Sequence, residues 1–291
     1  AEGRMLSGLA RTRLGVSSVS DVARVNRVQG LVLGAGLAVQ VSPTVILRPR
    51  AAFGTSDERL TGDIRAGWQR PWGTLSLQGG RRVTDIADHP ILSGVTNSLL
   101  AQESGHDQGD YTLLDLARLR VDWRTSPRTN LSLEAGAERS RSMSVAAAPA
   151  NGHYRPNPQL AAGTIGVLRL TARYDAQTLE RLRGAMMELH LEGGVGDHEY
   201  GRGVVEVGWL VPAGPGLLEL RTEAGAGTAA LPGYRSFAIG GWGTLVGEQF
   251  RAWGGRRVAL ASLEYRLDAP FPEIPLGAFV STGRTITIAP F

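Results

Sequence analysis

The chain contains no cysteine, which excludes disulfides and cysteine metal ligands and leaves the redox compartment unspecified. It also lacks any uninterrupted apolar run near the roughly 18 residues that a membrane-spanning helix needs, so a membrane crossing is open only to strands. Charge of one sign is not gathered anywhere. The 31 Lys plus Arg and 27 Asp plus Glu, a formal +4, alternate along the chain, and this argues against a nucleic-acid partner. Residues 1–10 lack the basic start and apolar core of a signal peptide, as expected of a mature chain or an excised domain. No segment has the bias of a linker, so residues 1–291 read as one structured unit.

What the chain has in abundance is alternation of apolar with polar residues, the signature of strands whose successive side chains point to opposite faces. Ala117, Leu119, Val121 and Trp123 alternate with Leu116, Arg118, Arg120, Asp122 and Arg124. Leu131, Leu133, Ala135 and Ala137 oppose Ser132, Glu134 and Glu138, and Leu168, Leu170, Ala172 and Tyr174 oppose Arg169, Thr171, Arg173 and Asp175. Later copies set Leu189 and Leu191 against Glu188, His190 and Glu192, Leu218 and Leu220 against Glu219, Arg221 and Glu223, and Leu263, Tyr265 and Leu267 against Glu264 and Arg266. A soluble β-sandwich also alternates, but many of these segments run for about 9 to 12 residues, the length of a tilted strand crossing a bilayer.

Two further patterns favour a transmembrane antiparallel β-barrel. Short or proline-marked links near residues 42–43, 71–73, 126–128, 176–183, 212–216 and 268–275 alternate with links at 17–26, 54–61, 85–110, 141–163, 196–202 and 228–255, several of them long. Outer-membrane barrels alternate short periplasmic turns with longer outer loops in this way. Trp68, Trp123, Tyr174, Trp209 and Tyr265 all share the apolar register of their strands and lie just before short turns, forming one periplasmic girdle. Phe53 is a candidate for the opposite girdle, which the low aromatic content of 6% leaves thin.

The C-terminal part carries Phe237-Ala-Ile-Gly-Gly-Trp-Gly-Thr-Leu-Val-Gly-Glu, then Gly254-Gly255, then Ser262-Leu-Glu-Tyr-Arg, then Gly277-Ala-Phe-Val-Ser-Thr-Gly283. This stretch resembles the barrel of the bacterial surface-antigen superfamily, which includes BamA-type assembly factors and uncharacterised barrels. Asn26-Arg-Val-Gln-Gly30 similarly resembles a barrel start of the uncharacterised branch. The resemblance implies a loop folded into the lumen, carried here by Phe237, Gly240, Gly241, Gly243, Leu245, Val246, Gly247 and Glu248. It also implies sixteen strands with that loop between the eleventh and twelfth. Eleven are read before residues 228–255, so a strand starting near Leu276 is the thirteenth, with Phe291 a truncation point and three closing strands beyond it. Periplasmic peptide-binding domains ahead of the barrel are not expected within this chain. Where the assembly factors pair a loop arginine with a strand aspartate, this chain has Val246 and Ser281, so packing and backbone hydrogen bonds are expected to hold the loop.

No residues suited to catalysis emerge. His89, His106, His153, His190 and His198 lack metal-ligand spacing, and no G-x-S-x-G elbow occurs. Gly34-Ala-Gly36 and Gly225-Ala-Gly227 read as close-packed strand glycines, not a dinucleotide fingerprint. Asp107 and Asp110, near Glu103, read as a solvated acidic loop in preference to a calcium site. Leu92, Val95, Leu99 and Leu100 have the spacing of a short amphipathic helix that packs on the barrel rim or plugs it. The candidate functional surface is the lumen, lined by Arg118, Arg120, Glu134, Arg169, Arg173, Glu188, Glu219, Arg221, Glu264 and Arg266. Their near balance of signs favours a salt-bridged, closed interior over a solute channel. The expectation is a cofactor-free bacterial outer-membrane barrel, not an enzyme, whose partners are outer-membrane lipids and periplasmic or outer-membrane proteins. A passive channel and a soluble β-rich binding module are the alternatives.

Overall fold

The computed structural model describes residues 11–86, 93–160, 162–176, 184–241, 244–245, 247–270 and 285–288. The alternating segments form one antiparallel sheet. Its strands are β1 (Thr12–Leu14), β2 (Ala23–Asn26), β3 (Gly30–Ser42), β4 (Val45–Gly54), β5 (Leu60–Arg70), β6 (Gly73–Asp85) and β7 (Tyr111–Ser126). They continue as β8 (Thr129–Ser142), β9 (Gly163–Asp175), β10 (Gly184–Gly196), β11 (Tyr200–Ala213) and β12 (Gly216–Gly227). After a hairpin of β13 (Phe237–Ile239) and β14 (Trp253–Gly255), β15 (Arg257–Pro270) and β16 (Thr285–Ile288) complete the sheet.

Among the described residues the sheet is fourteen-stranded, with β3 to β11 each pairing with the next in the chain and β12 pairing with β15 across the long link. The short β1 and β2 both pair with β3, at Leu37–Val39 and Gly30–Leu33, with the helix α1 (Val19–Val22) between them. They share one strand position, so eleven positions precede the long link and thirteen are found among the described residues. The expected strand start near Leu276 lies outside the described residues, and the register sets Thr285 opposite Pro270. Among the described residues the sheet is a barrel-type wall in which no pairing joins the first strand to β16. Its curl is shown by contacts across it: Arg27, beside β3, reaches Asn157, 130 residues away.

The burial is inside out relative to a soluble protein. Leu33, Ile64, Leu77, Leu168, Trp209 and Leu263, all in the apolar register, are between 53% and 58% exposed, while Ser76, Ser132, Glu138 and Glu219 on the other face are buried. A soluble sandwich buries its apolar face, so this arrangement disfavours that alternative. Trp68, Trp123, Tyr174, Trp209 and Tyr265 share the outward register at the tight-turn end, where Arg70 lies 3.9 Å over the Trp68 ring. Tyr265 also donates its hydroxyl to Ala213 O at 2.8 Å, tying the girdle to a turn. Phe53 is exposed toward the other end.

The helix expected in the 85–110 link exists as α2 (Gly94–Ser104), but its packing differs from expectation. Ser93 Oγ accepts from Thr96 N at its start, and Gly105, with φ 73°, ends it in the left-handed conformation that glycine adopts without strain. Val95, Leu99 and Leu100 are exposed, and Leu92 lies outside the described residues. Polar contacts anchor the helix instead: Val25 N donates to Ser98 Oγ at 3.1 Å and Asn97 Nδ2 to Asp107 Oδ1 at 3.0 Å.

Candidate functional site

The polar face becomes a site because strand register lines up opposite charges. Arg120 lies opposite Glu134, Glu134 opposite Arg169, Arg169 opposite Glu192, and Glu192 opposite Arg202, a row of alternating sign across five adjacent strands. Directly opposite residues approach closely, so such a row is mutually stabilising. At its centre Arg169 Nη1 lies 2.7 Å from Glu134 Oε1 and 2.6 Å from Glu138 Oε1, while Arg169 Nε lies 2.5 Å from Glu192 Oε2. Arg118 Nη2 adds a 2.8 Å contact to Glu138, and the Tyr200 hydroxyl donates to Glu192 Oε1 at 2.5 Å.

The other expected lumen residues form local pairs. Arg120 contacts Asp122 at 2.8 Å, Arg173 contacts Asp175 at 3.2 Å, and Glu188 lies 2.9 Å from His190 Nε2. Near the tight-turn end Glu219 pairs with Arg221 and with Arg266 at 2.6 Å, and Arg266 also reaches Glu264 at 2.7 Å. The chain has no lysine, so apart from His190 these partners are arginines, whose fixed fork of donors lets Arg266 hold two carboxylates at once.

The long link after β12 lies against this face. A 3-10 turn, Gly233–Arg235, aims Arg235 at the wall, where Nη2 lies 3.0 Å from Glu138 Oε2 and Nε lies 3.2 Å from Glu192 Oε1. Phe237 is buried, with the Arg202 guanidinium 4.6 Å from its ring centre. It fits because position 225 has no side chain: a Cβ there would stand 2.7 Å from the ring. The β13–β14 hairpin carries the link back through Gly240, Gly241 and Gly247, all at positive φ. Gly241 N donates to Leu245 O at 3.2 Å, and Glu248 is exposed. Gly243, Val246 and Ser281 lie outside the described residues. To the expected packing and backbone hydrogen bonds the loop adds ion pairs: two loop arginines, Arg235 and Arg251, reach the wall and the rim. Cavities of about 850 Å³ and 430 Å³ remain beside the loop; His198, Arg221 and Arg251 contribute to the first, Arg82, Arg169 and Arg235 to the second.

At the long-loop end a second cluster corrects another expectation. Asp107 and Asp110 are buried, not solvated, and arginines occupy them; only Glu103 is exposed. Arg27, itself fully buried, donates its backbone N–H to Asp107 Oδ2 at 2.8 Å, and its Nη2 to Asp110 Oδ1 at 2.9 Å and Asn157 Oδ1 at 3.2 Å. Arg155 lies 2.6 Å from Asp110 Oδ1, and Arg251 pairs with Oδ2 of the same carboxylate. Burial alone would raise the Asp110 carboxyl; Arg155 and Arg251 outweigh it and hold it below its ordinary value of 3.8. The cluster ties the β2–β3 turn, the 105–110 segment, the 143–160 link and the in-folded loop into one cap. Among the described residues no His, Asp and Glu grouping suits a metal ion, and His89 lies outside them.

No family model matches the chain, and no curated protein matches it. Among solved structures it is similar to BamA from Haemophilus ducreyi lacking POTRA domains 1-3, with a TM-score of 0.56 at 13% identity. The match covers 86% of this chain and 53% of that one, so the chain spans about half the length of that structure. In fold, therefore, the chain is a nearly all-β antiparallel wall like the barrel of BamA.

Proposed function

We propose that this chain is the wall of a bacterial outer-membrane barrel of the assembly type, closed by its own in-folded loop and acting in protein or lipid insertion at that membrane. The observation that carries the reading is Arg235, a loop residue held between Glu138 of β8 and Glu192 of β10. A loop ion-paired to two strands of the wall obstructs the passage that a solute would take. The outward apolar face, with aromatics at the tight-turn end, supports the membrane location.

Two measurements test the two halves of the reading. Refolded into detergent, the chain should migrate on a gel as a compact species that shifts on heating; a chain folding equally in plain buffer overturns the membrane location. In planar bilayers it should show no steady conductance, and in vesicles it should accelerate insertion of a second, unfolded barrel protein. Steady ion flow sinks the closed-lumen reading in favour of a passive channel. Failure to accelerate insertion removes the assembly role.

A further inference from the structure

The outward face of the wall is apolar apart from single charges at strand ends, Arg70 on β5, Asp85 on β6 and Arg257 on β15, and one cluster of charges within it. In the outward register of β3, β4, β9, β10, β11 and β12 no charged residue occurs. On β6, β7 and β8 the same register carries Arg81, Asp115, Arg139 and Arg141 on adjacent strands. Asp115 is opposite Arg81 on one side and Arg139 on the other. Arg81 Nε donates to Asp115 Oδ1 at 2.5 Å, and Arg141 Nη2 donates to Oδ2. One carboxylate thus holds two guanidinium groups, with Arg139 opposite it on the neighbouring strand. Arg139 is exposed, the Arg81 side chain is 51% exposed, and Arg141 Nε is buried without a hydrogen-bond partner.

The next outward row toward the membrane centre is Gly79, Ala117, Ala137 and Gly166, and the row after it includes Leu77, Leu119, Ala135 and Leu168. A basic row therefore stands above a shallow strip of small residues and a leucine belt. Its height is set by register. Leu131 is opposite Trp123 of the aromatic girdle. From Leu131 to Arg139 the strand advances about 27 Å at roughly 3.4 Å per residue, or about 20 Å along the membrane normal at a tilt near 40°, close to the roughly 25 Å apolar band of such barrels. The arginines are at headgroup level on the side bearing the long loops, which in these barrels faces outward.

Resting on the membrane reading above, we infer that Arg81, Arg139 and Arg141 form a binding site for the phosphate of an outer-leaflet glycolipid whose acyl chains lie along Leu77, Leu119 and Leu168. Asp115 holds two of the guanidinium groups in place while leaving the cluster with an excess of positive charge. Arginine forks match phosphate oxygens in pairs, and the small-residue strip leaves room for the sugar beneath.

The test reconstitutes the full chain in phosphatidylcholine nanodiscs containing a little lipid A or its dephosphorylated form, and counts retained lipid by native mass spectrometry. The partner variant is R81Q/R139Q/R141Q/D115N, neutral throughout so that no lone carboxylate is left in lipid. With about fivefold per surplus cation at a membrane surface, the unaltered chain should prefer the phosphorylated lipid by roughly thirtyfold. The variant should lose that preference while keeping its heat-shifted gel migration. Equal retention of both lipids by a properly inserted unaltered chain overturns the site and leaves the membrane reading standing. An undiminished preference in the variant overturns the assignment to these arginines, as does displacement of the lipid by millimolar inorganic phosphate alone, which would mark a site for the free anion. Failure of the chain to enter any bilayer overturns both readings together.

Discussion

Two buried ion clusters hold this molecule's interior, and they are built by opposite means. The wall cluster of Arg118, Glu134, Glu138, Arg169 and Glu192 is assembled by strand register, each charge presented by a neighbour already fixed in the sheet. The rim cluster of Arg27, Asp107, Asp110, Arg155 and Arg251 is assembled by loops that meet only after the sheet has curled. Redundancy follows from the first design: Arg169 touches three carboxylates, so loss of one leaves others. The second converges on a single point, Asp110, which serves three arginines.

The largest effect should come from Arg27→Ala, which removes the cation paired with buried Asp107 and one of the three that serve Asp110. A buried charge left without its partner costs about 3–5 kcal/mol. Denaturant midpoints in detergent should fall accordingly, and a loss below 1 kcal/mol would mean the cap is solvated. Next comes Arg235→Gln, which releases the loop from the wall for about 2 kcal/mol, the worth of its charged hydrogen bonds. Its sharper readout is intermittent conductance in planar bilayers, absent in the parent chain. Gly225→Ala should cost about 1–3 kcal/mol by overpacking against Phe237, and adding Phe237→Leu should recover most of it.

Acid should loosen the rim cluster. Because the Asp110 carboxyl is held below 3.8 by Arg155 and Arg251, its contribution is fully present above that value and is lost as pH falls through the lower folded value. Protease cleavage within the 143–160 link should therefore rise only in strongly acidic buffer; a rise near neutral pH would point to another group. The smallest effect is expected for Glu103→Ala, within about 0.5 kcal/mol, because this exposed carboxylate lies near the rim cluster in sequence and takes no part in it.

The same contrast explains what the sequence revealed. Alternation placed Glu134, Arg169, Glu138 and Glu192 on one face of their strands, because a period of two survives in the chain whatever its partners are. The strand order followed from the links, and the loop's place between the eleventh and twelfth positions agrees with the sheet. The rim was illegible for a physical reason: Arg27, Asp107 and Arg251 are scattered over more than 200 positions, and no local pattern announces that a loop carboxylate will be buried. Glu103, Asp107 and Asp110 look alike in the chain, yet one is exposed and two are enclosed. Arg235 escaped notice because loops carry no periodicity, although Gly225, recognised as close-packed, marked where the loop would land.

The alternating row from Arg120 to Arg202 also bears on how such a wall comes to be paired correctly. If one strand slid by a single residue against its neighbour, its whole set of charges would turn toward lipid, at about 2–4 kcal/mol for each arginine near the bilayer midplane. A slide of two residues would keep the faces but set Glu134 opposite Val167 or Thr171 instead of Arg169. The charges thus penalise both errors, and the row works as a proofreading comb, rejecting misaligned strands before the loop closes over them.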